Sequence, residues 1–203
     1  MTIKAIVFDI GGVLEITPET SVVRTWLERL NLKRGELSQR LEATGKDGAL
    51  GTCTEAEWWD GVREITGIDD ATLAEFRADF WKEYLGTHNV ELDTYFRSLR
   101  PKYKTAILSN SFVGAREKEH AAYGFEDACD FIIYSHEVGM QKPDPRVYLL
   151  TCERLGVQPS EVIFLDDHKE AVDPAIELGI HGVVFENTAQ AVADIEACIQ
   201  TNL

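Results

Sequence analysis

Five short runs of this chain are almost continuously apolar and end in polar residues. They cover residues 3–9, 103–110, 130–136, 161–167 and 181–185. Short apolar runs without polar alternation are typical of strands that are covered on both faces of a sheet. We therefore predict five strands of a parallel sheet.

Helical patterns lie between these runs. Residues 145–155 and 188–200 repeat apolar side chains at every third or fourth position, which places those side chains on one face of a helix. Asn187 or Thr188 is the expected N-cap of the second helix. Strands that alternate with helices indicate an α/β fold with a doubly wound parallel sheet.

Residues 17–88 interrupt this alternation, because no convincing strand pattern occurs there. Helical patterns that are separated by glycines cover residues 21–30, 34–44, 54–66 and 70–85. We predict a small all-helical cap domain over residues 17–88, inserted after the first strand. The core domain is then formed by residues 1–16 and 89–203.

The net charge of the chain argues against some classes of binding partner. Its 203 residues carry a formal net charge of −15, which argues against nucleic-acid binding and against attraction to anionic membranes. No apolar run approaches the roughly 20 residues that span a bilayer. The first residues lack the basic-then-apolar order of a signal peptide. We expect a cytoplasmic protein, and the sequence does not indicate its oligomeric state.

Polar and charged side chains follow four of the predicted strands. In open parallel sheets, ligands bind beyond the carboxyl ends of the strands, so residues at these ends should lie close together. They are Asp9 after the first run, Ser109 and Asn110 after the second, Lys142 in the loop after the third, and Asp166 and Asp167 after the fourth. Their shared placement predicts a binding site at this edge of the sheet.

The same residues lie in motifs that resemble those of the haloacid dehalogenase-like hydrolases, most of which are phosphatases. "VFDIGGVL" (7–14), "AILSNS" (106–111), "QKPDPRVY" (141–148) and "VIFLDD" (162–167) resemble the four motifs of that family in order. The resemblance covers essentially the whole chain. It implies a Rossmann-like core, a helical cap that selects the substrate, and hydrolysis through an aspartyl-phosphate.

The resemblance also implies a role for each motif in binding and catalysis. Asp9 corresponds to the nucleophile, and Ser109 and Lys142 correspond to the residues that hold the phosphoryl group. Asn110 and Gly12 are expected as further substrate contacts. The implied partner is a small phosphorylated metabolite, such as a sugar phosphate.

A magnesium ion is the cofactor that the resemblance implies. Its expected ligands are Asp9, the carbonyl of Gly11 and Asp167, with Asp166 in support. Attack of a carboxylate on a phosphate meets charge repulsion, since two unit charges at 4 Å interact by about 4 kcal/mol at an effective dielectric near 20. Magnesium, which prefers oxygen ligands, and the Lys142 ammonium would both oppose this repulsion.

Gly11 stands where most phosphatases of this family carry a second aspartate. That aspartate protonates the leaving alcohol, and such general acid–base help typically contributes about 10²–10⁴-fold to the rate. Glu15 and His168 are candidate proton donors in its place. A substrate with a good leaving group would depend least on the missing acid.

Two alternatives to a magnesium-dependent phosphatase follow from departures in the motifs. A metal-independent 2-haloacid dehalogenase needs no second aspartate, because a halide leaves without a proton, but the pair Asp166-Asp167 argues against it. A weakly active or non-catalytic binding or regulatory protein is indicated by Ala171, where the family usually has Asn or Asp. Pro174 further suggests that the following helix starts late, with Asp173 as its N-cap.

Overall fold

The computed structural model describes residues 2–17 and 22–202. The strands are β1 (Ala5–Phe8), β2 (Glu15–Ile16), β3 (Thr87–His88), β4 (Lys104–Ser109), β5 (Phe131–Tyr134), β6 (Val162–Asp166) and β7 (His181–Val184). The α-helices are α1 (Val22–Arg29), α2 (Glu36–Glu42), α3 (Glu55–Thr66), α4 (Asp70–Leu85), α5 (Val90–Ser98), α6 (Ala115–Tyr123), α7 (Ser135–Val138), α8 (Pro145–Leu155), α9 (Lys169–Glu177) and α10 (Thr188–Thr201).

A five-stranded sheet in the order β5-β4-β1-β6-β7 forms the centre of the molecule. Every neighbouring pair is parallel, which confirms the predicted α/β fold. Strand β1 lies in the middle, with Ala5 opposite Lys104 on one side and Val162 on the other. All four residues of β1 are buried, as expected for a strand that is covered on both faces.

Helices cover both faces of this sheet. Ile6 and Phe8 of β1 belong to a hydrophobic cluster with residues of α5 and α10, whereas Val7 belongs to a second cluster with residues of α8 and α9. Successive side chains of a strand point to opposite faces, so a single strand contributes to both clusters. The sheet is therefore doubly wound, as the alternation of strands and helices predicts.

Helices α1–α4 pack around a third hydrophobic cluster, which includes Trp26, Leu41, Trp59 and Phe76 and is joined by Val113 from the segment after β4. The rings of Trp26 and Phe76 stack with their centroids 4.8 Å apart. The four helices lie where the sequence predicts them, although the first residue of the predicted helix 21–30 falls outside the described residues. The assignment of this helical unit as a separate cap domain stays a prediction.

The prediction that residues 17–88 contain no strand was wrong for the last two residues of that range. Strand β3 (Thr87–His88) pairs with β2 (Glu15–Ile16) as a two-stranded antiparallel ribbon. The ribbon joins the segment that enters the helical unit to the segment that leaves it. Two-residue strands carry too little sequence for a hydrophobic period, so only the pairing of distant segments defines them.

The predicted strand at residues 130–136 also ends early. Strand β5 stops at Tyr134, and Ser135–Val138 form the short helix α7 that ends at Gly139. Gly139 has φ of 63°, a left-handed conformation that favours glycine at the end of a helix. The chain therefore turns immediately after the strand, before it reaches Lys142.

The expected late start of the helix at Asp173-Pro174 was wrong. Helix α9 begins at Lys169 and includes Pro174. Proline inside a helix removes one backbone hydrogen bond and costs roughly 3 kcal/mol. The buried residues Val172 and Ala175 pack this helix against the sheet, and we attribute its early start to that burial.

Among the described residues, no helix is both long enough and apolar enough to cross a membrane.

Candidate active site

A buried lysine joins two carboxylates at the carboxyl edge of the sheet. The Nζ atom of Lys142 lies 2.8 Å from Oδ1 of Asp9 and 2.5 Å from Oδ2 of Asp166. Asp9 directly follows β1, and Asp166 is the last residue of the neighbouring strand β6. The side chains of Lys142 and Asp166 are 3% and 1% exposed, so water screens this ionic cluster little.

The position of Lys142 depends on the loop that follows β4. The Asn110 side chain donates a hydrogen bond to the Lys142 carbonyl at 2.8 Å, and its Oδ1 accepts one from the Lys142 backbone N–H at 2.7 Å. Both ends of the Asn110 amide are thus bound to the main chain of Lys142. Asn110 thus holds Lys142 in place, and because it also lines the cavity at this edge, its contact with substrate stays a prediction.

Burial and charge together set the protonation of this cluster. Burial, with the nearby Asp166, raises the pKa of Asp9 to about 7, while Lys142 acts in the opposite direction. Burial disfavours the charge on Lys142, but the fields of Asp9 and Asp166 outweigh it and raise the pKa of the lysine above its ordinary value. Lys142 is therefore a permanent cation next to a carboxylate that titrates near neutrality.

Asp167 lies directly against the glycine turn that follows β1. A β-carbon at position 12 would come within 2.2 Å of Asp167 Oδ2, so only glycine allows this approach. Gly12 also has φ of 75°, and its N–H donates to the Glu15 carbonyl at 2.7 Å within the turn. Gly12 makes room for Asp167 and also lines the cavity at this edge of the sheet, and its contact with substrate stays a prediction.

His168 extends the acidic pair toward solvent. Its Nδ1 lies 2.7 Å from Asp167 Oδ1, and its backbone N–H donates to Asp166 Oδ1 at 2.8 Å. The hydrogen bond to Asp167 raises the pKa of His168. One ligand atom from each of Asp166, Asp167 and His168 lies within 4.8 Å of the others, a spacing that suits a shared metal ion.

The donor set fits a hard divalent cation such as magnesium. When Asp9 is ionised, the carboxylates of Asp9, Asp166 and Asp167 together outnumber the single positive charge of Lys142, so an excess of negative charge remains. Oxygen donors of this kind are the ligands that magnesium prefers. Bound magnesium would neutralise this excess, with Asp9, Asp167, Asp166 and the Gly11 carbonyl as its candidate ligands.

These residues surround an open cavity of about 650 Å³. Its lining includes Asp9, Gly11, Lys142 and Asp167, together with Ala171 at the position where the family usually has a polar residue. Ser109 is buried and lines a smaller cavity next to this one. The fold therefore brings all the predicted site residues to one edge of the sheet, with Ser109 on the side of the helical unit.

Position 11 has room for a side chain. A β-carbon built on Gly11 would meet no atom within 4 Å, and Gly11 lines both cavities. The site therefore lacks the second carboxyl group only because residue 11 is a glycine. The backbone around position 11 leaves room for an aspartate side chain.

Sequence reasoning missed Glu119, which is fully buried on α6. Its Oε2 accepts a hydrogen bond from the Tyr134 hydroxyl at 2.5 Å. Burial raises the pKa of Glu119 to about 8. The sequence offers no clear signal for it, because α6 is rich in charged residues and only the structure shows that Glu119 shares a buried face with Ala115.

A family model described as haloacid dehalogenase-like hydrolase matches residues 3–179 of this chain. The chain belongs to the haloacid dehalogenase-like hydrolases. Bifunctional epoxide hydrolase 2 of Sus scrofa is 28% identical over 97% of the chain, but the chain spans only 39% of the length of that relative. A D-ribitol-5-phosphate phosphatase of Bacteroides thetaiotaomicron is 27% identical, over 92% of this chain and 94% of its own length.

Solved structures of this family share the fold. A HAD family enzyme of Bacteroides thetaiotaomicron, in complex with magnesium and inorganic phosphate, superimposes with a TM-score of 0.76 at 25% identity, over 91% of this chain and 94% of its own. An L-2-haloacid dehalogenase of Xanthobacter autotrophicus has a TM-score of 0.59 at 27% identity, over 98% of this chain and 84% of its own. The family members that are similar to this chain thus include both a phosphatase and a haloacid dehalogenase.

Proposed function

We propose that this protein is a magnesium-dependent phosphatase that hydrolyses a small phosphorylated metabolite through an aspartyl-phosphate on Asp9. The observation that carries the proposal is the contact of 2.8 Å between Asp9 and the buried Lys142, next to the acidic pair of Asp166 and Asp167. The similarity to a D-ribitol-5-phosphate phosphatase over nearly the full length of both chains supports it.

In the proposed reaction, a carboxylate oxygen of Asp9 forms a bond to phosphorus while the bond between phosphorus and the leaving oxygen breaks. The leaving oxygen takes a proton from solvent water. A second water molecule then attacks phosphorus, the bond between phosphorus and the Asp9 oxygen breaks, and the attacking water gives a proton to solvent, so that phosphate is released and Asp9 is restored. This covalent route divides one difficult step into two easier ones.

The charges of the site oppose the repulsion between Asp9 and the phosphate. Lys142 contacts Asp9 and is positioned by Asn110, so its ammonium group lies where the phosphoryl group would enter. Ser109 would donate a hydrogen bond to a phosphoryl oxygen. Magnesium bound by Asp9, Asp166, Asp167 and the Gly11 carbonyl would supply further positive charge at the transferring group.

The acidic pair separates this proposal from a haloacid dehalogenase. Displacement of a halide from an uncharged carbon needs no divalent cation, and a surplus of negative charge around Asp9 would repel a haloacid carboxylate. The cluster of Asp9, Asp166 and Asp167 instead favours a reaction in which a metal ion takes part.

Phosphate release from p-nitrophenyl phosphate, with and without magnesium, tests the proposal. We expect turnover that requires magnesium and falls at least a thousandfold in Asp9→Asn. Asp173→Asn is the matched control, because Asp173 is half exposed and pairs with Lys169 away from the cavity.

Turnover that is unchanged in Asp9→Asn would contradict the assignment of the nucleophile. Chloride release from 2-chloropropionate without metal would favour the dehalogenase. Magnesium-dependent ligand binding without turnover on a broad panel of phosphate esters would favour a non-catalytic member of the family.

A further inference from the structure

A third cavity, with a volume of about 300 Å³, lies among helices α1–α4. Its walls include the buried apolar side chains of Leu27, Leu37, Trp58 and Phe76. Apolar cavities of roughly 150 Å³, lined by leucine, isoleucine and phenylalanine, bind ligands of the size of benzene. This cavity, which we call the apolar cavity, therefore has the room and the walls for an apolar group.

The apolar cavity adjoins the smaller cavity beside the candidate active site. Both are lined by Val23 of α1 and Phe80 of α4. The smaller cavity, of about 260 Å³, in turn shares three lining residues with the cavity at Asp9, namely Gly11, Thr17 and Asn110. The three cavities therefore follow one another from Asp9 into the helical unit, and a group attached to a phosphate at Asp9 would extend along them.

The loop after β4 contributes to both ends of this series. Ser109 and Asn110 line the smaller cavity, and Asn110 also lines the cavity at the edge of the sheet. Two residues further on, Phe112 lines the apolar cavity. The centroid of its ring lies 4.9 Å from that of Trp58 and 5.3 Å from that of Phe80. One loop of the core thus contacts the candidate active site and completes the wall of the apolar cavity.

The apolar cavity opens to solvent beside α2. Arg34, Ser38 and Glu42 line it and are exposed, so they lie at its mouth. Apolar walls with a few polar groups are the usual composition of a ligand pocket, and apolar surface with a polar rim marks binding sites. A chain that is longer than the cavity could leave through this mouth.

On the basis of the proposed phosphatase activity, we propose that the leaving group of the substrate carries an apolar chain, which passes Val23 and Phe80 and lies in the apolar cavity. The phosphate itself would stay at Asp9 and Lys142. A polyhydroxylated leaving group fits less well, because its hydroxyl groups would lose their hydrogen bonds to water against apolar walls. The substrate class is therefore a phosphate monoester of an apolar alcohol.

The first test compares alkyl phosphates of increasing chain length. Values of kcat/KM are measured with magnesium for ethyl, butyl and octyl phosphate, and for ribitol 5-phosphate as a polar ester. We expect kcat/KM to rise about fourfold for each further methylene group that is buried, and octyl phosphate to exceed ribitol 5-phosphate at least tenfold. No rise from butyl to octyl phosphate, or a preference for ribitol 5-phosphate, overturns the proposal.

A variant at the junction of two cavities tests the path of the chain. Val23 is 42% exposed, so its replacement spares the core. We expect Val23→Asp to lower the ratio of kcat/KM for octyl over ethyl phosphate at least fivefold, because a charge at the junction disfavours an apolar chain. Val90→Asp is the matched control, since Val90 is 62% exposed on α5 and lines none of the three cavities. A ratio that Val23→Asp leaves unchanged overturns the proposal.

A fluorescence titration tests the apolar cavity without phosphate chemistry. The probe is 8-bromo-1-octanol, whose bromine quenches a tryptophan ring that it contacts. Trp58 lines the apolar cavity, whereas its neighbour Trp59 does not. We expect saturable quenching that is largely lost in Trp58→Phe and retained in Trp59→Phe, with thermal melting to show that both variants fold. Absent quenching, or quenching that Trp58→Phe leaves unchanged, overturns the apolar site.

Failure of the apolar site and failure of the proposed function give different results. Phosphate release from p-nitrophenyl phosphate but from none of the alkyl esters overturns the substrate class and leaves the proposed function intact. A wild type that releases no phosphate from any of these esters contradicts the proposed function instead. The fluorescence titration then decides alone whether the apolar cavity binds an alkyl chain.

Discussion

Gly12 and Asp167 fit together only because residue 12 has no side chain. A β-carbon at Gly12 would lie 2.2 Å from Oδ2 of Asp167, well inside any allowed contact. The glycine turn after the first strand therefore controls where an aspartate at the end of another strand can lie. This contact links the first and fourth motifs of the site and leads to the first prediction.

We expect Gly12→Ala to displace the Asp167 carboxylate and weaken magnesium binding at least tenfold. Calorimetric titration with magnesium measures the effect directly. Gly45→Ala is the matched control, because Gly45 has a similar φ of 80° but a β-carbon there would meet no atom within 4 Å. It carries the same backbone cost, so equal magnesium affinity in the two variants would contradict the role of the Gly12 contact.

The second prediction concerns the buried lysine. Lys142→Met would leave Asp9 and Asp166 buried without their counter-ion, and such loss of one partner typically costs about 3–5 kcal/mol of unfolding free energy. Urea denaturation without magnesium measures this cost. Lys4→Met removes a surface pair with Glu161 and should cost at most about 1 kcal/mol. Similar losses in both variants would show that the buried cluster is not stabilised by Lys142.

The third prediction is a gain of activity at position 11. Gly11→Asp places a carboxyl group in open space beside both cavities, where it could protonate the leaving oxygen. We expect kcat for an alkyl phosphate, a poor leaving group, to rise at least tenfold, toward the range of about 10²–10⁴ that general acid–base help supplies. The rate on p-nitrophenyl phosphate should rise much less.

Gly11→Ala is the control for the added side chain, since alanine fills the same space without an acid. An equal change in Gly11→Ala and Gly11→Asp would attribute the effect to shape. A fall in both activities on Gly11→Asp would indicate that another residue already protonates the leaving group and is displaced by the new carboxyl.

The fourth prediction concerns the dependence of stability on pH. Burial raises the pKa of Glu119 from its ordinary 4.5 to about 8, so between these values the folded protein holds a proton that the unfolded chain releases. The contribution of Glu119 to stability is therefore complete below about pH 4.5 and is lost as the pH rises toward 8. The free energy of unfolding should fall over this range, by at most about 1.4 kcal/mol per pH unit from this group.

Urea denaturation at about pH 5.5 and pH 7.5 measures this fall. Glu119→Gln cannot titrate, so we expect its stability to fall less than that of the wild type. Asp9 and Glu15 remain in both proteins, but Glu119 raises the pKa of Glu15, so the difference between the two slopes reports Glu119 together with its effect on Glu15. Identical slopes would show that Glu119 is already ionised in the folded protein near neutrality. Glu117→Gln, on the exposed side of α6, should behave as the wild type.

The sequence by itself determined the sheet and the place of the candidate site. Continuous apolar runs identified all five parallel strands, because their short length and the polar residues at their ends distinguish buried strands from longer buried helices. Polar residues at the ends of those runs, such as Asp9 and Asp166, then had to meet at one edge. Both inferences depend only on local pattern and on the common direction of parallel strands.

Only the tertiary structure decided which polar groups are buried together. The reciprocal bonds between Asn110 and Lys142 join segments 32 residues apart, and Glu119 raises the pKa of Glu15 although more than a hundred residues separate them in sequence. The early start of α9 through Pro174 likewise depends on packing against the sheet. A residue's own neighbours in sequence fix its periodicity, whereas its protonation and its partners depend on the charges and the water that the completed fold places around it.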